Sequence, residues 1–413
     1  MKIATLVALP PLAIALAACN GNSATANGGT AKASGDQPSS GQPFAIAEQA
    51  DFDNPWAIVF LPGTSQALVT EKTGHLQLYD TATKTKREVA GIPAVDYGGQ
   101  GGLLDVALAP DFVSSRRIYL SYAEPGDGGS GLALARGTLA ADGSKLSDVT
   151  VVWRQLPRGK GGQFGGVIAF APDGQSLYLT SGERQRFTPA QDPDQALGKI
   201  VHLTLDGQPA ANNPMAGKVG AQSVTMTDPP RNTGAATTAK GRSVAMTGTN
   251  TVPAETWSSG HRNPYGLTFS PDGRLWEIEM GPRGGDELNQ IEAGKNYGWP
   301  NVSFGDNYDG SPIPRPAAND GYALPALYWV PSVSPAGLLY YSGDMFPAWK
   351  GSLLLGALSG ESLIRVTIDG GKPQKADRWE LGRRIRDVQQ GPDGAIWLLE
   401  DGDDGKLLKL TPR

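Results

Sequence analysis

The chain has 413 residues, 39% hydrophobic and 19% charged, with a formal net charge of −5. That mild acidity, without a basic run or interleaved aromatic and basic residues, excludes the electrostatic footprint of a nucleic-acid binder. Cys19 is the one cysteine, which excludes an intramolecular disulfide.

The first segment opens with Met1-Lys2, continues as an apolar run broken by Pro10-Pro11, and closes Leu16-Ala17-Ala18-Cys19. A charged start, an apolar middle and small residues before the cut describe a signal peptide. The run falls short of the roughly 20 residues a membrane span needs. We therefore expect a lipoprotein-type signal over residues 1–18, with Cys19 acylated as the new N-terminus. The protein is then exported and faces the periplasm or cell surface, held to a membrane through its lipid alone. Residues 19–43, rich in Gly, Ser, Ala, Thr and Asn, bury little and predict a flexible tether.

From residue 44 onward the pattern changes. With 55 Gly and 32 Pro in the chain, turns must be frequent. Short apolar runs alternate with Gly, Pro, Asp and Asn, the mark of antiparallel strands. A strand–turn–strand unit repeats around Pro172-Asp173-Gly174, Pro271-Asp272-Gly273 and Pro392-Asp393-Gly394, with degenerate copies at Leu61-Pro62-Gly63 and Pro110-Asp111-Phe112. Pro presets the turn, Asp bonds the local backbone, and Gly takes positive φ. The 346–369 region supplies a sixth unit. The expectation is an all-β, six-bladed β-propeller of four-stranded antiparallel blades over residues 44–413. A β-helix or a pair of sandwiches is the competing arrangement. Residues 217–252 are poor in apolar side chains and read as a long surface excursion between blades, partly disordered.

Four motifs follow in order: Gly260-His261-Arg262-Asn263-Pro264, Gly281-Pro282-Arg283-Gly284-Gly285-Asp286-Glu287, Gly294-Lys295-Asn296-Tyr297-Gly298-Trp299-Pro300, and Arg384-Ile385-Arg386-Asp387. With Gln100-Gly101-Gly102-Leu103-Leu104 and Gln195-Ala196-Leu197-Gly198-Lys199, they resemble the glucose/sorbosone dehydrogenases, soluble aldose dehydrogenases that use pyrroloquinoline quinone (PQQ). The resemblance runs from about Asn54 to the C-terminus. It implies that Arg262, Arg384 and Arg386 bind PQQ carboxylates, and that Gln100 and Asn263 supply amide contacts. Guanidinium forks suit a tricarboxylated quinone. It also implies Ca²⁺ on the carbonyls of Gly281 and Pro282, and a further Ca²⁺ at Glu287 and the backbone of Tyr297. Asp306 and Asp309 lie close in sequence and could add oxygen ligands.

The pattern breaks at the base. Where the family carries His-x-Gly-x-Arg, this chain reads Gln163-Phe164-Gly165-Gly166-Val167. The family His takes the proton from the C1 hydroxyl of the sugar, and an amide cannot do so at neutral pH. Asp105, just after Gln100-Gly101-Gly102-Leu103-Leu104, is a candidate substitute carboxylate, but it reads more readily as a loop residue that faces solvent or caps backbone. Tyr265 replaces a common Gln, and Ser359 stands where some members present a Lys to the quinone.

Three functions remain open on these residues. The first is PQQ- and Ca²⁺-dependent oxidation of aldoses to lactones, with the electron acceptor unassigned. The second is a catalytically silent propeller that binds the quinone, a sugar or a partner. The third is a Ca²⁺-dependent lactonase, which needs a ring of oxygen ligands in the central channel.

Overall fold

The computed structural model describes residues 37–230, 237 and 239–413. The expected signal peptide, Cys19 and most of the tether lie outside the described residues.

Six four-stranded antiparallel sheets make a six-bladed β-propeller. The first strands of the blades are Pro55–Phe60, Leu103–Leu108, Gly165–Phe170, Pro264–Phe269, Pro335–Tyr340 and Ile385–Gln390. Each contacts the first strand of the next blade, closing a ring around an axial channel. Second strands such as Leu275–Glu279 and Leu353–Ala357 are buried along their whole length, because neighbouring blades cover both faces. The outer strand Thr85–Glu88 reads Thr-Lys-Arg-Glu and is fully exposed, and its charges discourage edge-to-edge pairing.

The Pro-Asp-Gly repeats mark one place in the blade, the turn from first to second strand. In the third blade the Asp173 carboxylate accepts the Gln175 N–H at 2.9 Å and Gly174 takes φ +69°. Asp393 does the same for the Ala395 N–H in the sixth blade.

That sixth blade draws three strands from the C-terminal region. Its fourth, Phe44–Phe52, comes from the start of the described chain and pairs with Gly405–Pro412, Phe44 opposite Pro412. The ring is closed by joining the two ends.

The 217–252 excursion differs from expectation in place and in content. It leaves after Lys199–Thr204 and returns before Thr256–Ser259, so it is inserted within the third blade rather than between blades. It carries its own hairpin, Ser223–Thr227 against Gly241–Ala245. Val224 and Met226 are buried, which gives this polar segment a small apolar footing.

Every first strand contains a register shift against its neighbour, in three cases passing over Trp56, Tyr265 and Arg386. A bulge adds a residue on one strand only and re-aims its side chain. These three side chains line both the channel and the cavity at its mouth.

Candidate active site at the mouth of the channel

The cavity at the mouth measures about 370 Å³, within the roughly 300–1,000 Å³ of small-molecule sites. Trp56 and Tyr265 form its floor, ring centroids 6.0 Å apart at 89°. Arg386 stacks over Tyr265 at 5.5 Å. Arg384, Gln100 and Lys72 stand around it. The Gln100-Gly101-Gly102 motif explains part of this assembly. Gly102 has φ +137°, and a Cβ there would run into the Lys72 carbonyl, which accepts the Leu103 N–H at 3.1 Å. Glycine therefore lets the Lys72 turn and the Gln100 turn close on each other.

Arg384 and Arg386 meet at one carboxylate. Arg384 Nε and Nη2 lie 3.0 and 2.8 Å from Asp401 Oδ2, and Arg386 Nε and Nη2 lie 3.0 and 2.5 Å from Oδ1. Burial opposes the Asp401 charge, but Arg386 and then Arg384 prevail and hold its carboxyl down at about 2. Burial and Arg386 together pull the Lys72 ammonium below its ordinary value. Three cations thus face the cavity against one carboxylate. An aromatic floor under excess positive charge suits a flat polyanion.

Tyr308 belongs both to this cavity and to a narrower cleft beside it, lined by Gln163, Glu183, Arg262, Pro282 and Trp299. Arg262 Nη1 donates to the carbonyls of Met280 (3.0 Å) and Gly281 (2.6 Å). Its Nε, and Oδ1 of neighbouring Asn263, are buried without a partner. Such orphaned atoms ask for a ligand. Gly281 could carry no side chain, because a Cβ would strike the carbonyls of Gly284 and Gly285. Asp286 pins this loop by accepting the N–H groups of Gly281, Val333 and Ser334 at 2.9, 2.6 and 2.8 Å.

Behind the loop lies a second polar cluster. Glu277 pairs across the strands with Asn289, and Glu279 with Glu287, so all four side chains share a face. Asn289 Nδ2 lies 3.1 to 3.3 Å from all three carboxylates. Glu277 Oε1 and Asn289 Oδ1 have no partner. Ligand atoms of His261, Glu277 and Glu279 lie within 4.8 Å of one another, and Tyr297 stacks on His261 at 4.8 Å. Burial, then repulsion from Glu279, drives the carboxyls of Glu277 and Glu287 well above the usual range. Oxygen-rich and unsatisfied, with crowded carboxyls that a cation would let ionise together, this cage fits a hard cation such as Ca²⁺. Glu277, Glu279 and Asn289 were not singled out from the sequence, where they read as ordinary strand residues.

Other expectations fall elsewhere. Asp306 pairs with Arg315 at 2.7 Å and Asp309 caps Ser311, so neither joins the cage. Asp105 sits in a strand, and its carboxylate accepts the N–H groups of Ile168 and Val106, both at 2.8 Å. Asp387 binds Ile58 N–H in the same way. These two channel carboxylates bond first-strand N–H groups, and no further acidic side chain lines the channel among the described residues. Val167 lines the channel as an apolar residue, and Ser359 bonds Ser334 at 2.7 Å.

The model of the family Glucose / Sorbosone dehydrogenase matches residues 52–244 and 238–409. The chain belongs to this family. Aldose sugar dehydrogenase YliI of Escherichia coli is 39% identical over 372 residues, covering 88% of this chain and 92% of that protein. A crystal structure of a glucose dehydrogenase superposes with a TM-score of 0.78 at 41% identity, covering 88% of this chain and 99% of the other. The PQQ-bound form of an aldose sugar dehydrogenase from Streptomyces coelicolor gives 0.67 at 28% identity, covering 90% and 98%. Lys72 was missed in the sequence, because this glucose/sorbosone dehydrogenase family member presents it from a turn without any periodic signal.

Proposed function

We propose that the protein oxidises aldose sugars to lactones with PQQ as bound oxidant and Ca²⁺ as its companion ion. The observation that carries this reading is the cavity where Lys72, Arg384, Arg386 and Gln100 converge above Trp56 and Tyr265. Those cations would hold the quinone carboxylates, with Arg262 and Asn263 at its other edge. The carbonyls of Gly281 and Pro282 would hold one Ca²⁺, and Glu287 with the Tyr297 backbone a second, aided by Glu277, Glu279 and Asn289. Bound there, the quinone supplies a two-electron acceptor, and Ca²⁺ makes it more electrophilic. An external electron acceptor must then regenerate it.

The protein's own groups have three tasks. Trp56 and Tyr265 would exclude water from the floor of the cavity that holds the quinone. Arg262, bonded to Gly281 and stacked 5.2 Å from Trp299, orients the edge of the cleft. Gln163 can position a hydroxyl but cannot take its proton.

The test is a PQQ titration of the purified protein with and without Ca²⁺, followed by an aldose, reading the quinone absorption. Binding and bleaching support the reading. A second reading, a silent binder, is favoured by Gln163 alone, and binding without bleaching across a sugar panel would select it.

The reading of Cys19 as a lipid anchor is part of the same proposal and puts the enzyme on the outer side of a membrane. Incorporation of labelled palmitate, lost in Cys19→Ala, tests it.

A further inference from the structure

The loss of the family His leaves an unanswered demand for a proton acceptor, and the cleft beside the mouth supplies a residue for it. Gln163 is itself tightly fixed. It is 4% exposed, sits at φ +53°, donates its N–H to Gln100 Oε1 at 2.7 Å, and accepts the Arg184 N–H at 3.2 Å. Its surroundings orient its carboxamide. Because a guanidinium only donates, the carboxamide oxygen is assigned to the Arg262 side, 2.9 Å from Nη2 and 3.3 Å from Nη1, and the nitrogen to the side of Glu183 Oε1, as its donor. Glu183 therefore stands directly against the family's base position. Its other oxygen accepts the N–H groups of Arg186 and Phe187, both at 2.5 Å. Its own N–H donates to the Arg262 carbonyl at 3.0 Å. These bonds clamp the carboxylate while leaving Oε1 on the cleft side with Gln163.

The three histidines and Asp105 are engaged elsewhere. His75 is exposed and paired with Glu88. His202 lies between Asn213 and Ser176 in the third blade. His261 is fully buried, bonded to Ser258 and Glu279 in the cation cage. Asp105 is committed to two backbone N–H groups. Glu183 alone lines the cleft with Gln163, Arg262 and Trp299. That cleft holds about 10 Å³, room for roughly one water or one hydroxyl group.

We propose that Glu183 is the catalytic proton acceptor of this protein, with Gln163 as the neutral group that positions the sugar hydroxyl beside it. The inference rests on the sugar dehydrogenase reading. In the step, the O–H bond of the anomeric hydroxyl breaks and its proton goes to Glu183. The C1–O bond becomes double as hydride leaves C1 for the quinone oxidant, and the product is the lactone. Glu183 then releases its proton to solvent through the cleft.

The electrostatics agree. Burial raises the Glu183 carboxyl to about 7, against the lowering pull of Arg262, of the Phe187 and Arg186 N–H groups and of the Arg186 charge. Arg184 is the further charged group facing it. A base is most effective when its pKa lies near the working pH.

Two measurements on the same variants test the assignment. In the cofactor-free protein labelled with carboxyl ¹³C-glutamate, one resonance should titrate near neutrality and vanish in Glu183→Gln. In the PQQ- and Ca²⁺-loaded protein, Glu183→Gln should bind PQQ with unchanged affinity, lose about 10²- to 10⁴-fold in kcat, and lose the rise of rate with pH. Glu183→Asp, with the shorter carboxylate, should keep part of the rate and guards against a folding defect in the amide variant. Wild-type rate in Glu183→Gln, or no resonance titrating near 7, overturns Glu183 alone. A wild-type protein that binds PQQ and oxidises no aldose overturns the dehydrogenase reading as well.

Discussion

Arg386 Nε lies 3.0 Å from Asp401 Oδ1, and this pair anchors the cationic side of the mouth cavity. The Arg386 side chain is 9% exposed, whereas Arg384 on the other oxygen is 47% exposed. The two arginines therefore differ in what their loss should do. Removing Arg386 takes away the buried partner and leaves Asp401 to the half-exposed Arg384 alone, at up to about 3 kcal/mol. Removing Arg384 leaves Asp401 still paired, and an exposed ion pair contributes under about 1 kcal/mol. Arg386→Ala should lower the thermal midpoint by several degrees and Arg384→Ala hardly at all. Both should weaken PQQ about 10- to 100-fold, the worth of a charge-assisted hydrogen bond. Calorimetry and fluorescence titration read the two effects separately.

Lys72 should behave as a pure binding residue. Its Nζ lies 3.5 Å from the Gly99 carbonyl, a weak bond that a cofactor carboxylate can replace. Lys72→Met keeps the stem and removes the charge. The expected result is about a tenfold loss of PQQ affinity, a shallower dependence of binding on salt, and unchanged stability without cofactor.

The carboxylate cage should show itself through its ion. Adding Ca²⁺ to the chelated protein should raise the thermal midpoint, since a ligand bound only by the folded state stabilises it. Glu277→Gln should abolish that rise while leaving the arginine-lined cavity intact. A calcium-induced shift of wild-type size in the variant would assign the ion to another place.

Asp105 gives the pH prediction. Burial raises its carboxyl to about 7, against an unfolded value near 3.9. Between those values the folded state keeps a proton that the unfolded state has released, so stability falls as pH rises from about 4 to 7. Asp387, raised by burial to about 6, adds to the same slope over the lower part of that window. Asp401 works in the opposite sense and further into acid. Its contribution is complete above about pH 4 and disappears as pH falls through about 2. Denaturant titrations at several pH values should show the decline above pH 4, and Asp105→Asn should make it shallower, leaving the parts that Glu183 and Asp387 contribute.

The blade architecture was legible because its signal is local. A Pro-Asp-Gly turn needs only its own residues, and it recurs at one position in the blade. The arginines at 384 and 386 were legible because alternate strand residues share a face. What sequence could not give was company between distant loops. Glu183 reaches Gln163 only because the end of the Ser176–Ser181 strand folds back beside the loop before Gly165–Phe170. Lys72 and Arg386 meet because the first and last blades are neighbours in the ring. The hairpin within residues 217–252 was hidden by polar composition, its apolar positions being few. Asp105 was misplaced in a loop because the bulge at Leu103–Val106 breaks the alternation that would have marked its strand.

The strand Phe44–Phe52 also sets an order of assembly. Its partner, Gly405–Pro412, follows every other strand of the six blades in the sequence. Five blades can form from neighbouring segments as they emerge, but the sixth cannot be finished until Gly405–Pro412 has been made. Until then the earliest strand has no ladder to join, and closing so large a loop slows the final step. A circularly permuted chain, with its ends fused and a new opening cut between two other blades, would turn that last, longest-range pairing into a hairpin.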